Sequence, residues 1–473
     1  MVTPSPLPLK TQPPAASGRP AATSTGTQAA PSPTPGAPDN GKIFHYSALS
    51  GDTLAALAGR FGVSPDQISS AQAIPPQGYL APGQELSIPD LVGQPDYSGA
   101  LLPDSELINS PSAADFRVAD YVTRAGGYLS TYQETVDQEM LSGAAIVERI
   151  ATETSTNPRL LLGLLDYRSH WVTGQPADPN NTTYPLGFYV SSEHGLYKEM
   201  LMAAQYLSIG YYGWRQGNLT ELKFSDGKSA RISPTLNAGS VALQELFSKL
   251  YRQAPWVDAL YGQENFPGFY TQMFGDPWKR AATVEPLFSP GLAQPTLELP
   301  FAPGERWSLT GGPHLSWQTG SPNGALDFSP VTGQPPCAPT SAWARASASG
   351  LVTRTSRSTV VIDLDGDGRE QTGWVLVYLH VAEADRVAVG AQVKTDDPIG
   401  HPSCEGGQHP TGTHVHLARK YNGEWIAAGG PLPFLLSGWQ AQDGLKPYQG
   451  VLIKGSQTVT ASPSGRQSSI IVR

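Results

Sequence analysis

The tripeptide His414-Val415-His416 carries the strongest chemical signal in this chain. On a β-strand, positions i and i+2 share one face and the residue between them points away. The two imidazoles therefore project together, with the apolar Val415 on the opposite side. A pair so placed can hold a zinc ion, or one member can hold it while the other works on a substrate. His-x-His is short enough to arise by chance, so the surrounding chain must supply the rest of a site. Six of the nine histidines lie between 314 and 416, which concentrates the search there.

Three further segments read as elements that would position side chains toward such a pair. Gly311-Gly312-Pro313-His314 brings one histidine. Gly324-Ala325-Leu326-Asp327-Phe328 starts a strand with an Asp between apolar neighbours. Trp374-Val375-Leu376-Val377-Tyr378-Leu379-His380 is a strand that ends in His. In this order, and with Ala346 to Val352, Val389-Gly390, Val393 and Ile399-Gly400, the region resembles the lysostaphin-like (LytM-type) zinc endopeptidases. Those enzymes cleave peptidoglycan cross-bridges and stem peptides.

The resemblance implies zinc ligands at His314, Asp327 and His416, and an unligated catalytic pair at His380 and His414. Two neutral imidazoles and one carboxylate leave zinc a net positive charge and an open position. His414 suits general base work on a water. His380 suits oxyanion stabilisation or protonation of the leaving amine. One departure stands out. The family spaces its ligand His and Asp four positions apart, whereas here thirteen positions separate them, with Leu315 to Leu326 between. That insertion must loop out for both ligands to reach one ion. Otherwise His401 and His409 are the alternative donors. His45, His170 and His194 read as ordinary surface or core residues.

Composition sets the wider limits. A chain of 473 residues is too long for one ordinary domain. Its net charge of -9 argues against nucleic acid as a partner, because phosphate binding needs a basic surface. No apolar run approaches the length of a membrane span, and Val2 to Pro8 is too short and Pro-broken for a secretory signal. The abundance of Gly (50) and Pro (44) predicts many short strands, turns and linkers.

Residues 1–41 are rich in Pro, Ala, Ser and Thr and read as a disordered tether. Residues 42–91 read as a compact βααβ unit: a strand at Phe44 to Ser47, a cap at Ser50-Gly51-Asp52-Thr53, helical spacing of Leu54, Leu57, Ala58 and Phe61, and a second short helix from Ile68. Pro82-Gly83-Gln84-Glu85-Leu86-Ser87-Ile88-Pro89 closes it. This unit resembles a LysM domain, a family that binds N-acetylglucosamine polymers. The resemblance puts the glycan groove at Gly51, Asp52, Thr53, Leu54, Ile74 and Tyr79.

Residues 110–285 read as mainly helical, with Asn157-Pro158 opening one helix and Asn237-Ala238-Gly239 another. The order is faintly similar to lysozyme-like lytic transglycosylases. Where those carry a catalytic Glu-Ser pair, this chain has Arg168-Ser169, and Arg cannot act as the acid. Asp166 and Glu193 are nearby, but nothing in the sequence places them. The expected role is a glycan cradle or a spacer, not a glycosidase. Residues 298–435 read as strand-rich with Gly turns, and the lysostaphin-like resemblance implies an all-β, antiparallel peptidase unit there. Residues 436–473 alternate apolar and polar side chains and read as strands added to its sheet.

The two cysteines, Cys337 and Cys404, could form a disulfide, ligate zinc or stay as buried thiols, with the disulfide favoured. Such a bond across a long loop contributes about 4 kcal/mol in the chain-entropy model and fits an oxidising compartment. Asp363, Asp365 and Asp367 alternate with Leu and Gly as in a calcium loop, but Trp374 stands where a bidentate Glu would fall. An acidic hairpin turn is the plainer reading and calcium the alternative. The sequence reads as a monomeric, extracellular or wall-associated hydrolase acting on peptidoglycan. A wall-binding protein with a degenerate peptidase fold is the rival.

Overall fold

The structure is a computed structural model that describes residues 41–93, 95–407 and 410–473. The expected tether lies outside the described residues apart from Gly41.

In the N-terminal unit, Ile43–Ser47 pairs antiparallel with Glu85–Pro89, Tyr46 opposite Leu86. Thr53 caps the helix Leu54–Phe61 by accepting from the Ala56 amide, and Gly62 in left-handed conformation ends it. Leu57, Ala58 and Phe61, one face of that helix, are buried against the strands. The second helical segment is a single 3-10 turn, Pro65–Gln67. Ile68 is already extended there and Ser69 bridges Ser87, so sheet pairing draws the chain out of the helix.

The middle region is built on four helices, Gly143–Thr154, Pro158–Ser169, Leu196–Arg215 and Ala238–Leu250. Asn157 accepts from the Arg159 amide, with Pro158 in the first turn. A Cβ on Gly210 would come within 2.6 Å of the Ala242 Cα, so the last two helices touch backbone to backbone.

The C-terminal region centres on one antiparallel sheet. Its strands run Gln392–Val393, Gly350–Arg354, Thr359–Asp363, Trp374–Leu379, Val415–Tyr421, Ala325–Pro330, Arg306–His314 and Ile470–Val472. The short strand Glu424–Trp425 pairs with Val415–Tyr421. The C-terminal tail divides. Ile470–Val472 joins the sheet edge, but Trp439–Asp443, Gly450–Lys454 and Gln457–Thr460 form a second sheet with Leu435–Leu436. Alternating polarity predicts strands and a buried face; it does not choose the pairing partner.

The pleat sorts alternate residues onto two cores. Leu326, Phe328, Val360, Ile362, Leu376, Tyr378, Val415 and Leu417 face one, together with residues of the second sheet. Ala325, Val361, Val375, Val377 and Ala418 face the other, which is continuous with the core of the middle helices. Side chains at 414 and 416 share the face of Ala418, and Asp327 that of Ala325. The histidine pair therefore projects on the sheet face that the middle region covers further along the strand. Polar contacts lock the units together. Arg60 donates to the Trp214 carbonyl, Arg215 meets Glu424 at 3.0 Å and Asp104 at 3.2 Å, and Arg357 meets Glu153 at 2.7 Å.

Candidate metal centre

Strand pairing alone sets two of the groups together: His416 lies directly opposite Asp327, and Gly311 pairs with Asp327 on its other side. The third arrives where Arg306–His314 ends. The insertion after it loops out, since Ser316 donates to the Pro322 carbonyl and Ala325 resumes pairing opposite His314. Nε2 of His314 and Nδ1 of His416 are each 3.3 Å from Oδ1 of Asp327. They are 3.1 Å from each other. All three residues are buried.

Hydrogen bonds on the outer side fix which nitrogen faces inward. The other ring nitrogen of His314 lies 2.8 Å from the Gly312 carbonyl, and that of His416 3.1 Å from the Ser316 carbonyl. A carbonyl only accepts, so those nitrogens carry the hydrogens. When both rings are neutral, three acceptor atoms converge with no donor among them. Oδ1 of Asp327 is buried and makes no hydrogen bond. A cation satisfies such a cluster, and two imidazoles with a carboxylate fit zinc with a position left open. Absent a metal, a proton is the substitute. Burial opposes charge on His314, but Asp327 outweighs it and raises the imidazole. Burial would likewise raise Asp327, yet His314 and His414 hold it well below the usual carboxylate range.

His380 and His414 stand beside this cluster, their ring centroids 4.6 Å apart. Nδ1 of His380 donates to the Glu405 carbonyl at 2.8 Å, and Nδ1 of His414 to the Gly412 carbonyl at 2.7 Å. Each thus turns Nε2 inward, that of His414 lying 3.8 Å from Asp327 Oδ1. Burial, then His414, pulls His380 down to about 3. The five residues line a cleft of about 750 Å³ with Thr310, Ser329, Thr340, Thr413 and Tyr448.

Tyr448 escapes sequence reading. It comes from the C-terminal tail and stacks on His314 with centroids 4.1 Å apart. No motif marks it. His401 is not drawn to the cluster: it donates to the Ala342 carbonyl and packs on Trp343. His409 lies outside the described residues. Cys337 and Cys404 are joined, with Cα atoms 5.3 Å apart.

Asp363, Asp365 and Asp367 bring carboxylate oxygens within 4.8 Å of one another. Their carboxylates accept from backbone amides of Asp365, Asp367, Gly368 and Arg369, which is how an acidic hairpin turn closes itself. Burial, reinforced by Asp363, raises Asp365 to about 6.

Of the six residues expected in a glycan groove, Gly51, Thr53, Leu54 and Tyr79 line a cavity of about 370 Å³. Its far wall is Tyr212 and Arg215 of the middle region with Glu424 and Trp425 of the sheet region. Asp52 must be withdrawn. It is only 1% exposed, and its carboxylate accepts from Tyr46, the Leu49 amide and Arg60. Ile74 packs on the core of its own unit.

In the middle region, Arg168 donates to the Leu186 carbonyl and lies over the Tyr251 ring. Asp166 accepts from the Val172 and Thr173 amides, and Glu193 lies 3.8 Å from Lys198. All three are absorbed by local structure.

Comparison with known families places the first two units. Residues 46–89 match the family model of the LysM domain. This segment is similar to a LysM domain. Residues 100–287 match the model described as LasA, N-terminal domain, which gives the helical middle region a likeness other than the lysozyme-like one read from its sequence. Among solved structures, the chain is similar to the M23 metalloprotease pseudoalterin from the deep sea. That likeness is 22% identical with a TM-score of 0.31, covering 38% of this chain and 100% of that one. A zinc-containing peptidase from Vibrio cholerae is 18% identical with a TM-score of 0.21, over 30% of this chain and 41% of its own. The catalytic domain of the antimicrobial peptidase lysostaphin from Staphylococcus simulans is 20% identical with a TM-score of 0.18, over 26% and 88%. No curated protein matches the chain. The case for the chemistry rests on the side chains themselves.

Proposed function

We propose that this chain is an exported cell-wall hydrolase, a zinc endopeptidase that cleaves peptide bonds of peptidoglycan stems or cross-bridges. The observation that carries the reading is the convergence of His314 Nε2, Asp327 Oδ1 and His416 Nδ1. Their outer atoms are tied so that only acceptors point inward. These three residues would hold zinc, which when bound polarises the scissile carbonyl and acidifies a water.

The chain's own groups then divide the proton work. Neutral His414 offers its Nε2 lone pair to a water as general base. His380 also presents a lone pair when neutral, so it assists an oxyanion or a leaving amine only after gaining a proton. Burial makes it a weak base and, once charged, a ready donor. The Glu405 and Gly412 carbonyls hold both rings in these tautomers.

Units at 42–91, 110–285 and 298–435, with an extension at 436–473, divide the labour as LysM glycan anchor, non-catalytic helical body, peptidase and supporting strands. One copy suffices to build the site. The acidic turn at Asp363 closes on its own backbone and is given no calcium in this reading. A wall-binding protein with a degenerate site is disfavoured because all five polar positions are filled and mutually oriented. Metal content and the products of sacculus digestion test the proposal.

A further inference from the structure

The two histidines left free of the metal are held differently from the other three groups. His314, Asp327 and His416 belong to adjacent paired strands. His380 sits just past its strand, with φ +64, a left-handed backbone unusual for a residue with a side chain. Such a conformation persists when neighbours over-determine it. Those neighbours are Ser403 to Glu405. The Ser403 amide and hydroxyl both donate to the His380 carbonyl, at 2.8 and 3.0 Å. The Glu405 amide donates to that same hydroxyl, and the Glu405 carbonyl takes the ring Nδ1 hydrogen of His380. The His414 amide in turn donates to the Ser403 carbonyl at 3.4 Å. One three-residue segment thus fixes the backbone and ring of His380 and the backbone of His414.

Its central residue is Cys404, bonded to Cys337. Cys337 is exposed, in the non-strand stretch between Ala325–Pro330 and Ala344–Arg345, and that stretch walls the cleft from Val331 to Thr340. Across the cleft's rim, Thr413 donates to the Ala338 carbonyl at 3.2 Å. Behind the segment, the Glu405 carboxylate accepts from the Glu383 amide at 2.8 Å. The disulfide is the covalent half of this clamp.

We propose that the Cys337–Cys404 bond is a positioning element for His380 and His414, and that opening it slows catalysis while the metal stays bound. The inference rests on the peptidase reading above. An external dithiol would break the S–S bond, leaving two thiols and being itself oxidised to a disulfide. A reducing environment would then turn activity down without emptying the site.

The test uses the full chain, wild type and with Cys337→Ser plus Cys404→Ser, and reads bound zinc together with kcat and KM on a soluble peptidoglycan digest. The expected result is full zinc, KM within about twofold and kcat lower on the order of 10²-fold, the scale of an ångström misplacement. Unchanged kcat with zinc retained overturns the inference, and so does parallel loss of zinc and rate, which would mark a merely structural bond. Should the double variant fold poorly, Ser403→Ala keeps the disulfide and cuts the hydroxyl link. Lower kcat with full zinc supports the clamp, and wild-type kcat refutes it. A wild type that binds zinc yet cleaves nothing defeats the peptidase reading, and this inference with it.

Discussion

Nε2 of His314 and Nδ1 of His416 face each other at 3.1 Å, and when both rings are neutral neither has a hydrogen to offer. Each has spent its N–H on a backbone carbonyl, Gly312 for one and Ser316 for the other. With Asp327 Oδ1 equidistant at 3.3 Å, the contact is repulsive unless a cation sits among the three.

On the proposed ligand set of His314, Asp327 and His416, removing one member should empty the site. Asp327→Asn and His416→Ala are expected to lose zinc on dialysis, whereas the wild type retains one equivalent by elemental analysis. Chelation of the wild type should lower its melting temperature, because binding to the native state alone is stabilising.

Replacing His414 separates catalysis from binding. His414→Ala should keep zinc and lose roughly 10²- to 10⁴-fold in rate, the range of a general acid–base group. Loss of metal in this variant would exchange the roles of His414 and His416. Strand parity cannot order the two, since they share a face.

The inserted loop offers a third test. Gln318 reaches into the middle region, donating to Ser208 Oγ at 2.8 Å and the Thr154 carbonyl at 3.4 Å. The same loop carries the Ser316 carbonyl that orients His416. Gln318→Ala should cost about 1–3 kcal/mol by leaving buried partners unsatisfied. Denaturant unfolding would register the loss, and chelators should strip zinc faster.

Acid stability has a named contributor. Glu370 is partly buried between Arg354 at 2.7 Å and Lys420 at 3.1 Å. Burial alone would raise its carboxyl, but the two cations outweigh it and hold it down to about 2. A depressed carboxylate stabilises above its unfolded value and loses that contribution as pH falls toward the folded one. The wild type should exceed Glu370→Gln by about 3 kcal/mol at neutral pH, and the gap should close between pH about 4.5 and 2. Burial pulls Lys420 the other way, so the acid limb is where the effect shows. A constant gap across that window would contradict it.

Much of the candidate site is legible in sequence because it is local. His414-Val415-His416 announces a shared face, and the pleat then places Asp327 and His416 side by side once their strands pair. The cap at Thr53 and the start at Asn157-Pro158 are local in the same way. What escapes is contact between distant segments. Tyr448 reaches His314 from the tail, and Arg215 joins Glu424 across two units. Asp52 misleads for a related reason: a charged residue in a predicted groove reads as exposed until Tyr46 and Arg60 are seen to bury it.

The most direct measurement is the chemistry left on digested sacculi. The whole 473-residue chain loaded with zinc should release new free amino groups, with no new reducing ends or anhydro-muramyl products, and His416→Ala should release none. Glycan-strand products that persist in His416→Ala would contradict the peptidase reading and return attention to the helical middle region.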